Sequence, residues 1–225
     1  MSLVTFIAQR MEMGETEWYF KPDMNTCEPP VDDTEQINSP HNLDELHKAV
    51  CGCQRCSLGA LRTNFVFGDG NPEADVMFIG EAPGKDEDEQ GLPFVGRAGK
   101  LLTKMIEAIK LSRSEVFIGN ILKCRPPQNR DPQADEIDKC EPILIRQIEI
   151  IRPVIICALG RIAGQTLLQT KSTLGALRGN VHDYHGVKLI VTYHPAALLR
   201  NPNWKPKAWE DLKFLRREYD GMEIS

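Results

Sequence analysis

No stretch of this chain approaches the roughly 18 consecutive apolar residues that a membrane-crossing helix needs. The first fifteen residues, MSLVTFIAQRMEMGE, lack the basic n-region of a secretory signal. Both absences lead to the expectation of a cytoplasmic protein with no membrane partner. In that reducing setting the seven cysteines are expected as metal ligands or buried thiols rather than disulfides. No internal repeat or low-complexity tract is present. An excess of positive charge is missing too: the net charge is −5, which at first argues against a polyanionic partner. What is there is ordinary globular material, 225 residues with 41% hydrophobic and 26% charged content. That is enough for one α/β domain, or one domain with an extension.

The charge is unevenly spread. Residues 1–40 hold two bases (Arg10, Lys21) against eight acids (Glu12, Glu15, Glu17, Asp23, Glu28, Asp32, Asp33, Glu35), whereas the rest holds 25 bases against 24 acids. The division expected is an acidic N-terminal extension over 1–40 and one domain over 41–225. That domain is neutral overall. Its C-terminal stretch is locally basic (Arg200, Lys205, Lys207, Lys213, Arg216, Arg217), so one face can still meet phosphate.

From Asn42 onward, regular patterns appear. LDELHKAV reads as a short helix, ADVMFIG (74–80) as a buried strand, and KLLTKMIEAIKL (100–111) as a helix. EVFIGNIL (115–122) is a second strand. DEIDKCEPILIRQIEII (135–151) is a helix with an acidic start, and Pro142 predicts a kink or a break inside it. PVIICALG, RIAGQTLLQ, VKLIVTY (187–193) and WKPKAWEDLKFLRREY continue the alternation as strand, helix, strand and helix. Strands alternating with helices predict a three-layer α/β/α fold around a mostly parallel four-stranded sheet. In such sheets ligands gather at the carboxyl ends of the strands. GEAPG, Asn120 with KCRPP, and His194-Pro195 all fall there.

Four cysteines carry the first chemical signal. Cys53-x2-Cys56 and Cys124-x15-Cys140 combine a tight pair with a distant one, a pattern for one shared zinc or iron–sulfur centre. The alternative is a set of core thiols, which is the reading for Cys157 inside its apolar strand. Cys27 reads as incidental, and Cys51 competes with Cys53 for a place beside Cys56. GEAPG offers backbone amides at a strand end, where Gly80, Ala82 and Gly84 permit close approach of a carbonyl or phosphate. Phe94, on a Gly-rich loop, either anchors that loop or stacks on a planar ligand. Asn120 sits in a strand where an amide is disfavoured, so it is satisfied by a neighbouring loop or reads a ligand. His194 and Arg200 bracket a short loop with two leucines, Leu198 and Leu199, that read as exposed; a plain His-Pro turn with its leucines in the core is the competing reading.

Taken together, GEAPG (80–84), GLPFVGRAG (91–99), GNILKCRPPQNRDP (119–132), ALG (158–160) and HPAALLRNP (194–202) resemble the family-4, iron–sulfur uracil-DNA glycosylases of bacteria and archaea. The match spans roughly residues 42–219 and leaves the acidic extension outside. The resemblance implies the uracil-DNA glycosylase fold and a 4Fe-4S cluster on Cys53, Cys56, Cys124 and Cys140. It implies a monomer that acts on uracil-containing DNA, single- or double-stranded, in base-excision repair. The enzyme would flip uracil out, cut its N-glycosidic bond and leave an abasic site. By the same resemblance, Phe94 stacks on uracil, Asn120 reads N3–H and O4, and His194 donates to O2. Leu198 fills the vacated stack and Arg200 contacts phosphate. Ala82 stands where better-known relatives place an aspartate, so Glu81 is the expected water-positioning carboxylate. Glu87 is either a solvated charge or the group that crowds uracil C5 and excludes thymine. KCRPPQNRDP lacks the histidine of relatives that capture uracil-DNA covalently. The competing classes are a non-catalytic nucleic-acid-binding protein and a redox-sensing one.

Overall fold

The computed structural model describes residues 37–222; residues 1–36, including Cys27 and most of the acidic extension, lie outside the described residues. The four expected strands are present as β2 (Val76–Gly80), β3 (Phe117–Asn120), β4 (Ile155–Leu159) and β6 (Val187–Thr192), all parallel where they pair. Two further strands correct the expected count of four. β1 (Asp69–Gly70) and β5 (Val181–Tyr184) add antiparallel edges, giving the order β1-β3-β2-β4-β6-β5. Neither edge carries a hydrophobic pattern: β1 has two residues, and in VHDY only Tyr184 is buried. β5 is instead fixed by a two-residue turn, His185-Gly186, with φ of 49° and 85°, whose twist suits a hairpin.

Side-chain alternation divides the core in two. Met77 and Ile79 of β2 join one buried cluster, Val76 and Phe78 the other. The first face is covered by α1 (Leu43–Val50), α4 (Ala134–Ile151), α5 (Arg161–Leu167) and α6 (Leu174–Leu177). The second lies under α3 (Arg97–Ala108), α7 (Pro195–Arg200) and α8 (Lys205–Asp220). A short helix, α2 (Lys85–Gln90), connects β2 to the loop before α3. The result is the expected three-layer α/β/α arrangement. Ile37 and Pro40 are buried as well, and the Pro40 carbonyl accepts from Arg146 at 2.5 Å, so the folded body takes in the last residues before position 41.

The break expected at Pro142 is not realised, because α4 runs unbroken over 18 residues. Proline removes one helical N–H, but Ile143, Leu144, Gln147 and Ile148 on the following turns are buried and hold the helix to the sheet. From β2 the chain moves outward to β3, then crosses back to β4 on the other side of β2. The carboxyl end of β2, at Gly80-Glu81, is therefore the topological switch point where such sheets bind ligands.

Candidate active site at the switch point

Three parallel strands end around one cleft of about 350 Å³, within the usual range for a small-ligand site. β2 leads into Glu81, Ala82, Pro83 and Gly84; β3 ends in Asn120; β6 leads to His194. Glu87, Phe94 and Arg200 complete the residues expected here, and all of these line the cleft. Two other cavities of about 320 Å³ lie elsewhere, one beside Tyr184 and one behind the Phe94 loop. Neither gathers the strand-end groups.

Asn120 is 2% exposed, and its Oδ1 is buried with no hydrogen-bond partner. A buried amide oxygen left bare costs about 1–3 kcal/mol, a cost that a ligand N–H would relieve. The backbone behind it is pinned: the fully buried Lys123 ammonium donates to the Asn120 carbonyl at 2.8 Å and to Gln147 Oε1 at 2.6 Å. Gly80 keeps the space between Asn120 and Phe94 open, since a Cβ there would collide with Asn120 Oδ1 and lie 2.6 Å from the Phe94 ring.

Phe94 adopts a left-handed backbone (φ 52°), an unusual conformation for a bulky residue. Arg113 holds it, donating to the Pro93 carbonyl at 2.6 Å and the Phe94 carbonyl at 3.3 Å while pairing with buried Asp69 at 3.4 Å. Glu87 braces the same loop from the cleft side. One carboxylate oxygen accepts from Val95 and Gly96 N–H, both at 3.0 Å, and the other from Gly84 N–H at 3.2 Å. Its reading as a solvated charge is thereby corrected: a carboxylate can accept several backbone N–H groups, and here it ties the GEAPG turn to the Phe94 loop.

The imidazole of His194 lies 5.6 Å, centroid to centroid, from the Phe94 ring. Its Nδ1 accepts the Ala196 N–H at 3.1 Å, capping α7. Burial first, and then the Arg200 charge, lower its pKa to about 4. The ring is therefore neutral at pH 7, and with Nδ1 an acceptor the proton sits on Nε2. Gly160 allows this placement: its φ is +96°, and a Cβ there would lie 2.9 Å from that of His194.

Glu81 is half-buried, and its carboxyl is pushed up to about 7, mainly by burial and then by Asp131, against the opposing pull of Arg161. Asp131, Asn129, Arg130 and Pro126 also line the cleft and were missed in the sequence. Their signal was the loop RPPQNRDP, in which Gln128 and Asn129 take left-handed backbone. Arg130 fastens that loop to α4 through Glu136, at 2.9 and 2.5 Å.

One expectation fails. Leu198 does not project: it is 1% exposed, because its position on α7 faces α3 and α8. Leu199, one residue on, is 42% exposed and takes the outward position instead.

The cysteines gather on the opposite face of the sheet. Cys53 and Cys56 follow α1, Cys124 follows β3 and Cys140 rides on α4; all four are free thiols packed in or against one core cluster. Burial, together with neighbouring cysteines, pushes Cys124 up to about 11 and Cys140 up to about 12. Nitrogen donors point at two of the sulfurs: Lys123 N–H at 3.3 Å from Cys140 Sγ and Arg62 at 3.2 Å from Cys124 Sγ. An all-thiol donor set served by N–H groups fits a cluster-type iron–sulfur group. Among the described residues, no group of three or more His, Cys, Asp or Glu is placed to hold a metal ion. Cys51 is buried in the same core cluster, its Sγ 3.5 Å from the Lys48 carbonyl oxygen. Cys157 lies in the other cluster as a core thiol.

A three-layer α/β/α protein whose strand ends converge a stacking ring, an unpaired amide and a neutral imidazole has the construction of an enzyme acting on a planar base. Sequence comparison reaches the same point. Residues 67–213 match the uracil DNA glycosylase superfamily. A type-4 uracil-DNA glycosylase of Archaeoglobus fulgidus is 44% identical over 180 residues, 76% of this chain and 90% of that protein. One of Sulfurisphaera tokodaii is 48% identical over 184 residues (78% and 84%), and one of Thermotoga maritima 46% over 161 (71% and 84%). The chain belongs to the uracil-DNA glycosylase superfamily, alongside its type-4 members.

Proposed function

We propose that this protein is a monofunctional uracil-DNA glycosylase, and the convergence of Asn120, Phe94 and His194 on one cleft carries the reading. A base inside a duplex is out of reach, so it must be extruded into the cleft. Its face then stacks on Phe94. The Asn120 amide accepts from N3–H and donates to O4; cytosine presents the opposite pattern, and a fixed amide rejects it. His194 Nε2–H donates to O2, where negative charge grows as the N-glycosidic bond lengthens. The ionised Glu81 orients the attacking water toward C1′. Glu87 narrows the side of the slot that a thymine methyl would need. Among the described residues no lysine lines the cleft, and Lys123 is buried with its ammonium engaged, which supports hydrolysis to an abasic site without strand cleavage.

Cys53, Cys56, Cys124 and Cys140 would hold a 4Fe-4S cluster, which when bound supplies a cross-link between the α1 end, β3 and α4. That bracing role, rather than redox sensing, suits its place behind Asn120 and Lys123. Outside the cleft, Arg200 contacts phosphate and Leu199 takes the wedge position that Leu198 vacates. The enzyme works as a cytoplasmic monomer on DNA, with the residues before Ile37 an extension to the domain. Incubation with uracil in single strands, U:A and U:G pairs, followed by alkaline cleavage, should reveal abasic sites. Purified protein should also contain about four iron atoms per chain. Absence of abasic sites from all three substrates with iron-loaded protein would refute the activity.

A further inference from the structure

Apart from Leu199 and Arg200, the basic, aromatic edge beside α7 takes no part in the chemistry above, yet it grows from the same strand end that supplies His194. Thr192, Tyr193 and His194 are consecutive. Thr192 donates its hydroxyl to Asp211 at 2.6 Å, and Asp211 accepts a bidentate pair from Arg178 at 2.7 and 2.8 Å. That guanidinium lies 4.5 Å over the Tyr193 ring, and Trp204 stacks on Tyr193 at 5.3 Å with 29° between planes. Arg178, Tyr193 and Trp204 thus form a column anchored on a buried aspartate. Its outer member, Trp204, remains 38% exposed, with the exposed Leu199 and Arg200 just before it in the chain. Around it, Arg200, Lys205 and Lys207 are exposed, and among the described residues none of them has an acidic partner. Lys213 and Arg216, by contrast, are neutralised by Glu210 and Asp220 on their own helix.

We propose that Trp204 is a stacking platform for an unpaired nucleobase flanking the extruded uracil, with Lys205 and Lys207 on the adjoining phosphates. The inference rests on the proposed glycosylase reading and gives it a substrate form: single-stranded DNA, whose bases are free to stack on an aromatic ring, where those of a duplex are not. An indole immobilised from behind loses little freedom on binding, and the unpaired cations add a sequence-independent, salt-sensitive attraction.

The test measures binding of uracil-free single-stranded and duplex oligonucleotides by fluorescence anisotropy over a salt series, with full-length wild type, Trp204→Ala, Trp204→Phe and the Lys205→Gln/Lys207→Gln double variant. Single-turnover uracil excision at saturating enzyme is followed in parallel. Trp204→Ala should weaken single-strand binding about 5- to 100-fold, the loss of one base–aromatic stack. Duplex binding should change by less than about 2-fold, and Trp204→Phe should recover most of the loss. The double lysine variant should flatten the single-strand salt slope by about 1.4, or about 0.7 per phosphate contact. Saturated excision rates should stay near wild type. Unchanged single-strand binding by Trp204→Ala, or equal losses on single strand and duplex, would overturn the platform. Should Trp204→Ala misfold, an unchanged salt slope in the lysine variant overturns it. Wild-type protein that binds as described but excises nothing would sink the glycosylase reading instead.

Discussion

Replacing His194 tests the electrostatic heart of the proposed reaction. The ring has two jobs in the structure: Nδ1 caps α7 through Ala196, and Nε2–H faces the cleft. Losing a preorganised donor to a developing oxyanion costs roughly 2.7–4 kcal/mol, a rate loss of about 10²–10³. Losing the cap costs roughly 1 kcal/mol of stability, a fall of about 2–4 °C in Tm for a chain of this size. The two effects separate by choice of residue. His194→Ala should lose both. His194→Asn restores a good N-cap but is too short to reach O2, so it should keep its Tm and still lose the 10²–10³. Because burial and Arg200 already hold the imidazole neutral above about pH 4, its titration should put no limb in the activity profile between pH 6 and 8. The assay is single-turnover uracil release with saturating enzyme, beside a thermal melt. A His194→Asn enzyme within tenfold of wild type would refute the donor role, as would a His194→Ala enzyme with intact rate.

Further predictions concern the carboxylates and the buried histidines. With Glu81 at about 7 and active when ionised, the excision rate should rise with pH through a midpoint near 7. Glu81→Gln should abolish that limb, and Asp131→Asn, which removes a charge that raises the Glu81 pKa, should move it to lower pH; an unmoved midpoint in Asp131→Asn would count against the pairing. His47 and His194 are both lowered to about 4, chiefly by burial, from an ordinary value of 6.5. Between those values the two histidines bind more protons in the unfolded chain. That outweighs the one proton that the raised Glu81 carboxyl binds more in the native state, so stability should fall as pH drops from about 6.5 toward 4. Denaturant midpoints at pH 7.5, 6 and 5 would check this, and a flat response would contradict it. Glu87→Gly should remove two backbone bonds from the Phe94 loop and one from the GEAPG turn and slow uracil excision, while opening thymine to slow release. Thymine left untouched would leave Glu87 with the bracing role alone.

The four central strands were legible because each carries a short apolar run that is buried, in β6 from Leu189 onward. The edge strands were not, since β1 owes its place to pairing with β3, and β5 to its turn with two positive-φ residues. The cleft was readable as strand-end motifs, and eight of its residues were placed before the fold was known. What pattern could not supply was orientation. Helical spacing in AALLR does not say which leucine faces inward, and the assignment to Leu198 went to the buried one. The supports of the site escaped notice for a similar reason: Arg113 and Asp69 reach Phe94 across 19 and 25 residues of sequence, joined only by folding. Nothing in KCRPP marks Lys123 as a support of the site, yet it is fully buried and holds the Asn120 carbonyl.

The most direct test of the central claim is the fate of Asn120, whose bare Oδ1 is the feature that most requires a ligand. With β3 and the Lys123 contact to its carbonyl retained, Asn120→Ala should fold normally and bind uracil-free DNA as wild type does. It should lose roughly 10²-fold or more in uracil release at saturation, in line with the loss of a preorganised polar contact to the reacting group. Native turnover in that variant would contradict the base-reading account, as would cytosine release by wild type at a rate comparable to uracil.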